Sequence, residues 1–159
     1  MRYSKTFTLE EAKALLPKVR QMILDANKEV AEIVERLEAV NCDFQEAERE
    51  LATVKTTNDD EGSLTRLREC RAQFQSRSAK LSAVQHEYED CLYKWIERIT
   101  EMGIVLRDLP SGLIDFPAEK GDTQYLLCYR LEDKDIEFWH LPNDGFIGRR
   151  PLAVLDEYF

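Results

Sequence analysis

The chain has 159 residues, of which 43% are hydrophobic and 33% are charged, and its formal net charge is −9. This length allows one domain, or one domain with a small appendage, and the high charge content suits long solvent-exposed helix faces. The acidic balance disfavours binding to nucleic acids and to anionic membrane surfaces, because both attract clustered positive charge. We therefore expect no nucleic-acid partner and no membrane partner.

The first predicted element is a helix that begins near Leu9. Thr8 and Glu11 have the spacing of a capping box, in which the threonine hydroxyl accepts a hydrogen bond from the backbone N–H three residues later. Pro17 then lies inside the helical pattern, where it removes one backbone donor and crowds the preceding turn. We expect a kink or break near Leu16.

From Val19 onward, apolar residues recur at alternating spacings of four and three, and polar residues dominate between them. This is the heptad pattern of a coiled-coil seam. The seam consists of Val19, Ile23, Ala26, Val30, Ile33, Leu37, Val40, Phe44, Ala47, Leu51 and Val54.

Residues 55–63 are polar and contain Gly62, so they are predicted to form a loop. Heptad periodicity resumes at Leu67 and continues to Met102, and Gly103 is suited to the left-handed position after a helix. Two helices of similar length joined by a short loop fold back as an antiparallel hairpin. The apolar stripe widens near Trp95, which indicates that the base of the hairpin covers another module.

The C-terminal part has the short apolar runs and turn residues of an antiparallel meander. Four strands are predicted, over residues 104–106, 113–116, 124–131 and 136–141, with Pro117 ending the second. The chain is thus expected to be an α+β protein. Residues 1–102 would form a helical hairpin, packed at its base on a four-stranded β-module of residues 103–159.

The last hairpin of this module can be registered if its loop has four residues. Leu131 then lies opposite Ile136, which places His140 on the face that packs against the helices. Arg130 would lie opposite Glu137 on the other face, where opposite charges stabilise a strand pair.

The cysteines give no sign of a disulfide or a zinc site. Cys42, Cys70, Cys91 and Cys128 form no Cys-x-x-Cys pair, and a zinc site usually has more closely spaced ligands. We expect reduced cysteines in a cytoplasmic protein without a secretory signal. No cofactor and no metal site is predicted, since the acidic residues 59–61 also lack the pattern of a calcium loop.

Several segments resemble an uncharacterised bacterial family, domain of unknown function 2203. The resemblance implies the architecture above but no activity, cofactor or site. The segments are Phe7-Thr8-Leu9-Glu10-Glu11-Ala12, Leu15-Leu16-Pro17, Gly103-Ile104 with Leu106, Gly112-Leu113-Ile114-Asp115-Phe116-Pro117, Leu127-Cys128-Tyr129-Arg130-Leu131, Phe138-Trp139-His140, and Gly145-Phe146 with Gly148-Arg149.

Because no catalytic motif is complete, the leading hypothesis is a non-enzymatic interaction or scaffold protein that uses the hairpin, with a protein partner or a second copy of itself. The alternative is a small-ligand-binding or catalytic site in the β-module. There His140 could act as a general base if a carboxylate oriented its ring, whereas a lone histidine on the core face is more often structural. The candidate residues are Asp115, Arg130, Glu137, Trp139, His140, Asp144 and Arg149.

Overall fold

The computed structural model describes residues 2–54 and 61–159. It confirms an α+β protein in which two long helices precede an antiparallel sheet, and the sheet order is the chain order. The elements are α1 (Leu9–Val54), α2 (Glu61–Glu101), β1 (Val105–Asp108), β2 (Leu113–Lys120), β3 (Thr123–Tyr129), β4 (Phe138–His140), β5 (Arg150–Pro151) and α3 (Leu155–Tyr158). Within the described ranges, no helix has the length and apolar character that crossing a bilayer requires.

The chain divides into two compact units. The sheet unit comprises Met1–Lys28 and Tyr93–Phe159, and the hairpin unit comprises Glu29–Leu92. The predicted boundary at residue 102 follows the change from helix to strand, whereas the compact units divide the helices themselves. The first part of α1 and the last turns of α2 therefore belong with the sheet.

In the hairpin unit, α1 and α2 pack against each other as predicted. The rings of Phe44 and Phe74 are 5.2 Å apart, and Arg77 donates a hydrogen bond of 3.1 Å to the carbonyl of Asp43. Arg36 also pairs with a carboxylate across the hairpin. Each seam position from Val30 to Val54 is buried or partly buried, so the heptad pattern identified the packed face.

The ends of the helices follow the capping signals. The N–H of Glu11 donates to the hydroxyl of Thr8 at 3.1 Å, and Gly103 has the left-handed φ of 88° beyond α2. However, α1 continues through Pro17 without a break. A proline removes only one helical hydrogen bond, and buried residues on both sides of it, including Ala12 and Val19, hold the helix in place.

The loop predicted over residues 55–63 ends earlier than expected at its C-terminal side. Residues 61–63 are already helical, and residues 55–60 lie outside the described part of the chain. Glu61 in the first turn of α2 interacts favourably with the helix dipole. The hydroxyl of Thr65 donates to the carbonyl of Glu61 at 3.1 Å, within the same first turns.

One face of the sheet packs on the helices and forms the main hydrophobic core of the sheet unit. The rings of Phe7 and Phe116 meet edge to face at 5.5 Å. The fully or almost fully buried members of this core are Phe7, Ala12, Leu16, Val19, Ile23, Ile99, Ile104, Ile114, Phe116, Ala118, Leu127, Tyr129, Ile136 and Trp139.

The sheet has five strands rather than the predicted four, because Arg150–Pro151 pairs with β4. The second strand does not end at Pro117 but continues to Lys120. The carbonyl of Pro117 accepts a hydrogen bond of 2.7 Å from the N–H of Phe7, on the side of β2 that β1 leaves uncovered beyond Asp115. A proline without an N–H is tolerated on such an uncovered edge.

The predicted register of the last hairpin is wrong by one residue. Leu127 lies opposite Trp139, and Leu126 lies opposite His140. The turn starts earlier than predicted, since the Asp133 side chain accepts a hydrogen bond from the Arg130 N–H at 3.1 Å. A slip of one residue moves every side chain of a strand to the other face. Trp139 therefore enters the core on the helices, and His140 faces the opposite way.

Candidate functional site

The face of the sheet opposite the helices carries three buried polar or ionisable side chains on neighbouring strands. Asp115 of β2 is 1% exposed, Cys128 of β3 is 0% exposed, and His140 of β4 is 2% exposed. Asp115 and Cys128 are directly opposed, and His140 is opposite Leu126. Because residues two apart on a strand share a face, all three side chains project from the same side.

A chain of hydrogen bonds connects Asp115 with two cationic partners. Its Oδ2 accepts from Nε–H of Arg107 at 2.9 Å, and its Oδ1 is 3.0 Å from Nε2 of His140. On the other side of the ring, Nδ1 is 2.8 Å from the carbonyl of Leu141. A carbonyl oxygen can only accept, so Nδ1 carries a hydrogen.

These contacts shift the pKa of His140. Burial lowers its pKa, but hydrogen bonds to Asp115, to the Cys128 side chain and to the Leu141 carbonyl raise it, with a net result of about 10. The ring therefore carries both protons at neutral pH. A protonated ring cannot accept a proton, so this arrangement argues against the role of general base for His140.

The position of Arg107 results from an irregularity in β1. Leu106 pairs with Ile114 and Asp108 pairs with Leu113, so Arg107 is an additional residue on the β1 side. Such bulges redirect a side chain and are frequent beside functional sites. Here the bulge allows the guanidinium, which is 41% exposed, to reach the buried carboxylate of Asp115.

A cavity of about 230 Å³ lies over this array. Its volume is below the roughly 300–1,000 Å³ of pockets for drug-sized ligands, so it suits a molecule of a few heavy atoms. The lining combines apolar walls with the charged array. It consists of Arg107, Leu113, Asp115, Cys128, His140, Pro142, Asn143, Gly145 and Phe146.

Arginine–aromatic stacking holds the loop that forms one wall of the cavity. The guanidinium of Arg149 lies 4.0 Å from the ring centre of Phe138 and 4.4 Å from that of Phe146. It also donates to Asp133 at 2.8 and 3.3 Å. Arg130 stacks on Phe146 as well, at 4.8 Å. These contacts fix the position of Phe146 at the cavity.

The structure brings only some of the predicted site residues together. Asp115 and His140 line the cavity, and Arg130 and Arg149 lie behind its Phe146 wall. The other three predicted residues, Glu137, Trp139 and Asp144, lie outside the cavity lining.

Trp139 lies in the core on the helix side, where its Nε1–H donates to the carbonyl of Pro151 at 3.1 Å. Glu137 is exposed, and its carbonyl accepts from the N–H of Leu152. Asp144 is exposed and lies 4.0 Å from Arg150. The prediction that the last hairpin pairs Arg130 with Glu137 is therefore wrong, because Arg130 pairs instead with Glu132 at 3.4 Å.

Sequence reasoning missed Arg107, Cys128, Asn143 and Phe146. Arg107 follows the predicted first strand, residues 104–106, and Cys128 was expected only to be a reduced cysteine. A correct register would have placed Cys128 and His140 on one face with Asp115.

No curated protein and no solved structure gives a significant match to the chain. The segments that resemble a known family supply Asp115, Cys128, His140 and Phe146 of the cavity. The model of a family described as an uncharacterized conserved protein (DUF2203) matches residues 5–152. This range covers both helices and the sheet. The chain therefore belongs to the DUF2203 family, as its sequence motifs predict.

Proposed function

We propose that the protein is a binding protein whose sheet unit holds a small anionic molecule in the cavity. The observation that carries this proposal is the placement of Arg107 at the cavity, beside a carboxylate that is already neutralised. Arg107 uses Nε–H for Asp115, and its side chain also interacts with Tyr3. The Nη donors that these two contacts leave over are the groups that would bind the ligand. An arginine fork matches a carboxylate better than other side chains do.

As long as no metal ion is bound, the charges of the lining support an anion over a cation. Asp115 has partners at both oxygens, Arg107 at 2.9 Å and His140 at 3.0 Å, so its charge is compensated before a ligand arrives. Leu113, Pro142 and Phe146 add apolar walls. A short carboxylic acid with a hydrocarbon part satisfies both features, since its charge would meet Arg107 and its carbon atoms would meet these walls.

Binding can be tested by titration calorimetry and thermal shift with a panel of short carboxylic acids, inorganic phosphate and the uncharged amides of the same acids. All measurements use the 159-residue chain after treatment with a chelator, so that bound metal ions do not contribute. We expect at least one acid to bind and to raise the melting temperature, while its amide does not. Equal effects of the acid and its amide, or binding by no acid of the panel, would contradict the proposal.

The variant Arg107→Gln should weaken binding of the acid at least tenfold, which corresponds to about 1.4 kcal/mol. Arg20→Gln provides a matched control, because Arg20 is an exposed residue of α1 outside the cavity lining. If both variants bound the acid as tightly as the wild type, Arg107 would not be the anion ligand.

A second candidate function is self-association through α2. Tyr93 is 68% exposed and Ile96 is 42% exposed, and a spacing of three residues places them on one face of the helix. Such neighbouring apolar side chains favour a contact with a second copy of the chain. Sedimentation equilibrium at high concentration tests this idea, and a strictly monomeric protein would remove it. If a dimer forms, the double variant Tyr93→Ser, Ile96→Ser should dissociate it.

A further inference from the structure

We propose that Asp115, Cys128 and His140 form a binding site for a divalent transition metal of the zinc type. One ligand atom from each of these residues lies within 4.8 Å of the other two, and all three residues are buried. Carboxylate oxygen, thiolate sulfur and imidazole nitrogen are the three ligand types that zinc takes from proteins. Sequence spacing did not indicate this site, because the ligands come from three different strands.

The arrangement does not fit a nucleophilic triad. In a Cys–His–Asp triad the thiol and the carboxylate contact different ring nitrogens. Here Nδ1 of His140 is occupied by the Leu141 carbonyl at 2.8 Å, and Asp115 contacts Nε2. Nε2 is therefore the ring atom that would bind the metal, together with the carboxylate of Asp115 and the thiolate of Cys128. Convergence of three ligand atoms on one point is the requirement of a metal site.

The spacing of two ligands can be compared with a tetrahedral zinc centre. Zinc–nitrogen and zinc–oxygen bonds of roughly 2.0–2.2 Å place two ligand atoms about 3.3–3.5 Å apart. Nε2 of His140 and Oδ1 of Asp115 are 3.0 Å apart, so these two atoms would move apart by a few tenths of an ångström, and Sγ of Cys128 lies within 4.8 Å of both.

The contacts around the three ligands are those that support a metal site. A metal-bound histidine usually donates its second N–H to a carbonyl or carboxylate, and bound carboxylates are themselves hydrogen-bonded. His140 has the Leu141 carbonyl in this role, and the outer oxygen of Asp115 has Arg107. Both supporting groups remain in place when the ion enters.

The charge balance also permits a dication. The thiolate of Cys128 and the carboxylate of Asp115 carry two negative charges against the dication. Arg107 adds one positive charge beside Asp115, so an anion at the fourth position would complete the balance. Arg149 interacts with the Cys128 side chain, but its own charge is compensated by Asp133 at 2.8 Å. Three protein ligands leave a fourth position for water or a small anion from the cavity, as in zinc sites that exchange ligands.

Cobalt(II) provides the direct test, because thiolate ligation gives it a charge-transfer absorption band in the near ultraviolet. We expect the chelator-stripped 159-residue chain to bind one cobalt ion with this band, and zinc to displace the cobalt. The band should be lost in Cys128→Ser and retained in Cys42→Ser, the matched control, since Cys42 is exposed on α1. Retention of the band in Cys128→Ser would overturn the assignment.

A second measurement on the wild type does not depend on whether the variant folds. X-ray absorption of the zinc-loaded protein should show one sulfur at about 2.3 Å and nitrogen or oxygen neighbours at about 2.0–2.2 Å. Absence of stoichiometric binding, or a zinc shell without sulfur, would refute the site. The anion titrations are made in chelator, so failure of either proposal leaves the other to be judged separately.

Discussion

Replacing Asp115 by asparagine tests the buried array at its centre. The change removes one negative charge with almost no change in shape, between Arg107 at 2.9 Å and His140 at 3.0 Å. Removing one partner of a buried ion pair typically costs about 3–5 kcal/mol. The loss should be smaller here, since Arg107 is 41% exposed and can be hydrated. His140 can also lose its proton and accept a hydrogen bond from the new amide.

We therefore expect Asp115→Asn to lower the free energy of unfolding by about 2–3 kcal/mol, below the full cost of breaking a buried pair. At about 2–4 °C per kcal/mol for a chain of this size, the melting temperature should fall by about 4–12 °C. Tryptophan fluorescence is a suitable probe, because Trp95 and Trp139 both belong to the sheet unit. The measurements are made in chelator, so that metal does not contribute.

A matched control and a double-mutant cycle make this prediction specific. Asp122→Asn changes the same chemical group at an exposed position, and it should alter stability by less than about 0.5 kcal/mol. If Asp115 and His140 act as a pair, the effects of Asp115→Asn and His140→Gln should differ from additivity by at least about 0.5 kcal/mol. Additive effects, or a loss at Asp115 no larger than at Asp122, would refute the coupled array.

Three further predictions concern the titration, a turn and the core. In chelator, the raised pKa of His140 stabilises the folded state fully below its ordinary value near 6.5, and this stability is lost as the pH rises toward about 10. The loss is at most about 1.4 kcal/mol per pH unit. If the difference in unfolding free energy between the wild type and His140→Gln did not change with pH over this range, the prediction would be wrong. Gly112→Ala should destabilise the protein more than Gly121→Ala in urea unfolding. Both glycines have a positive φ, but a methyl group at Gly112 would lie 2.5 Å from a leucine side chain, whereas nothing lies within 4 Å at Gly121. Equal losses of unfolding free energy in the two variants would be inconsistent with this contact. Trp139→Phe removes a hydrogen bond to a backbone carbonyl and part of a fully buried ring. We therefore expect the free energy of unfolding to fall by about 2–3 kcal/mol. An unchanged melting temperature would argue against the core position of Trp139.

The helical half of the fold was predictable because its signals are local. The seam residues recur within one or two helical turns of each other, and the cap at Thr8 and the glycine at position 103 act on adjacent backbone groups. Whether the two helices also supercoil as a coiled coil stays a prediction. The continuity at Pro17 could not be read locally, since it depends on burial of the surrounding helix in the core with the sheet.

The sheet was predicted less accurately because its register depends on distant partners. A four-residue loop with Arg130 opposite Glu137 satisfied the local pattern. In the structure, Asp133 binds the N–H of Arg130 and also pairs with Arg149, which lies sixteen positions away. The short β5 also lacks a local signal, since its two residues are recognisable only through their pairing with β4.

This error also explains why the candidate site was only half predicted. Asp115 and His140 were chosen for their chemistry, without a geometric reason to place them together. Cys128 acquires a role only when it shares a face with both residues, and Arg107 only when the irregularity of β1 is known. Residue type identified the individual groups, and long-range pairing determines the site.

The register of β4 limits how the connection between Tyr129 and Phe138 can change in length. If one added or deleted residue were absorbed by the strand, His140 would turn toward the helices and Trp139 toward the cavity. A change of two residues would keep both side chains on their present faces. We therefore expect this connection to tolerate many changes in composition, whereas insertions or deletions of an odd number of residues would require a compensating bulge.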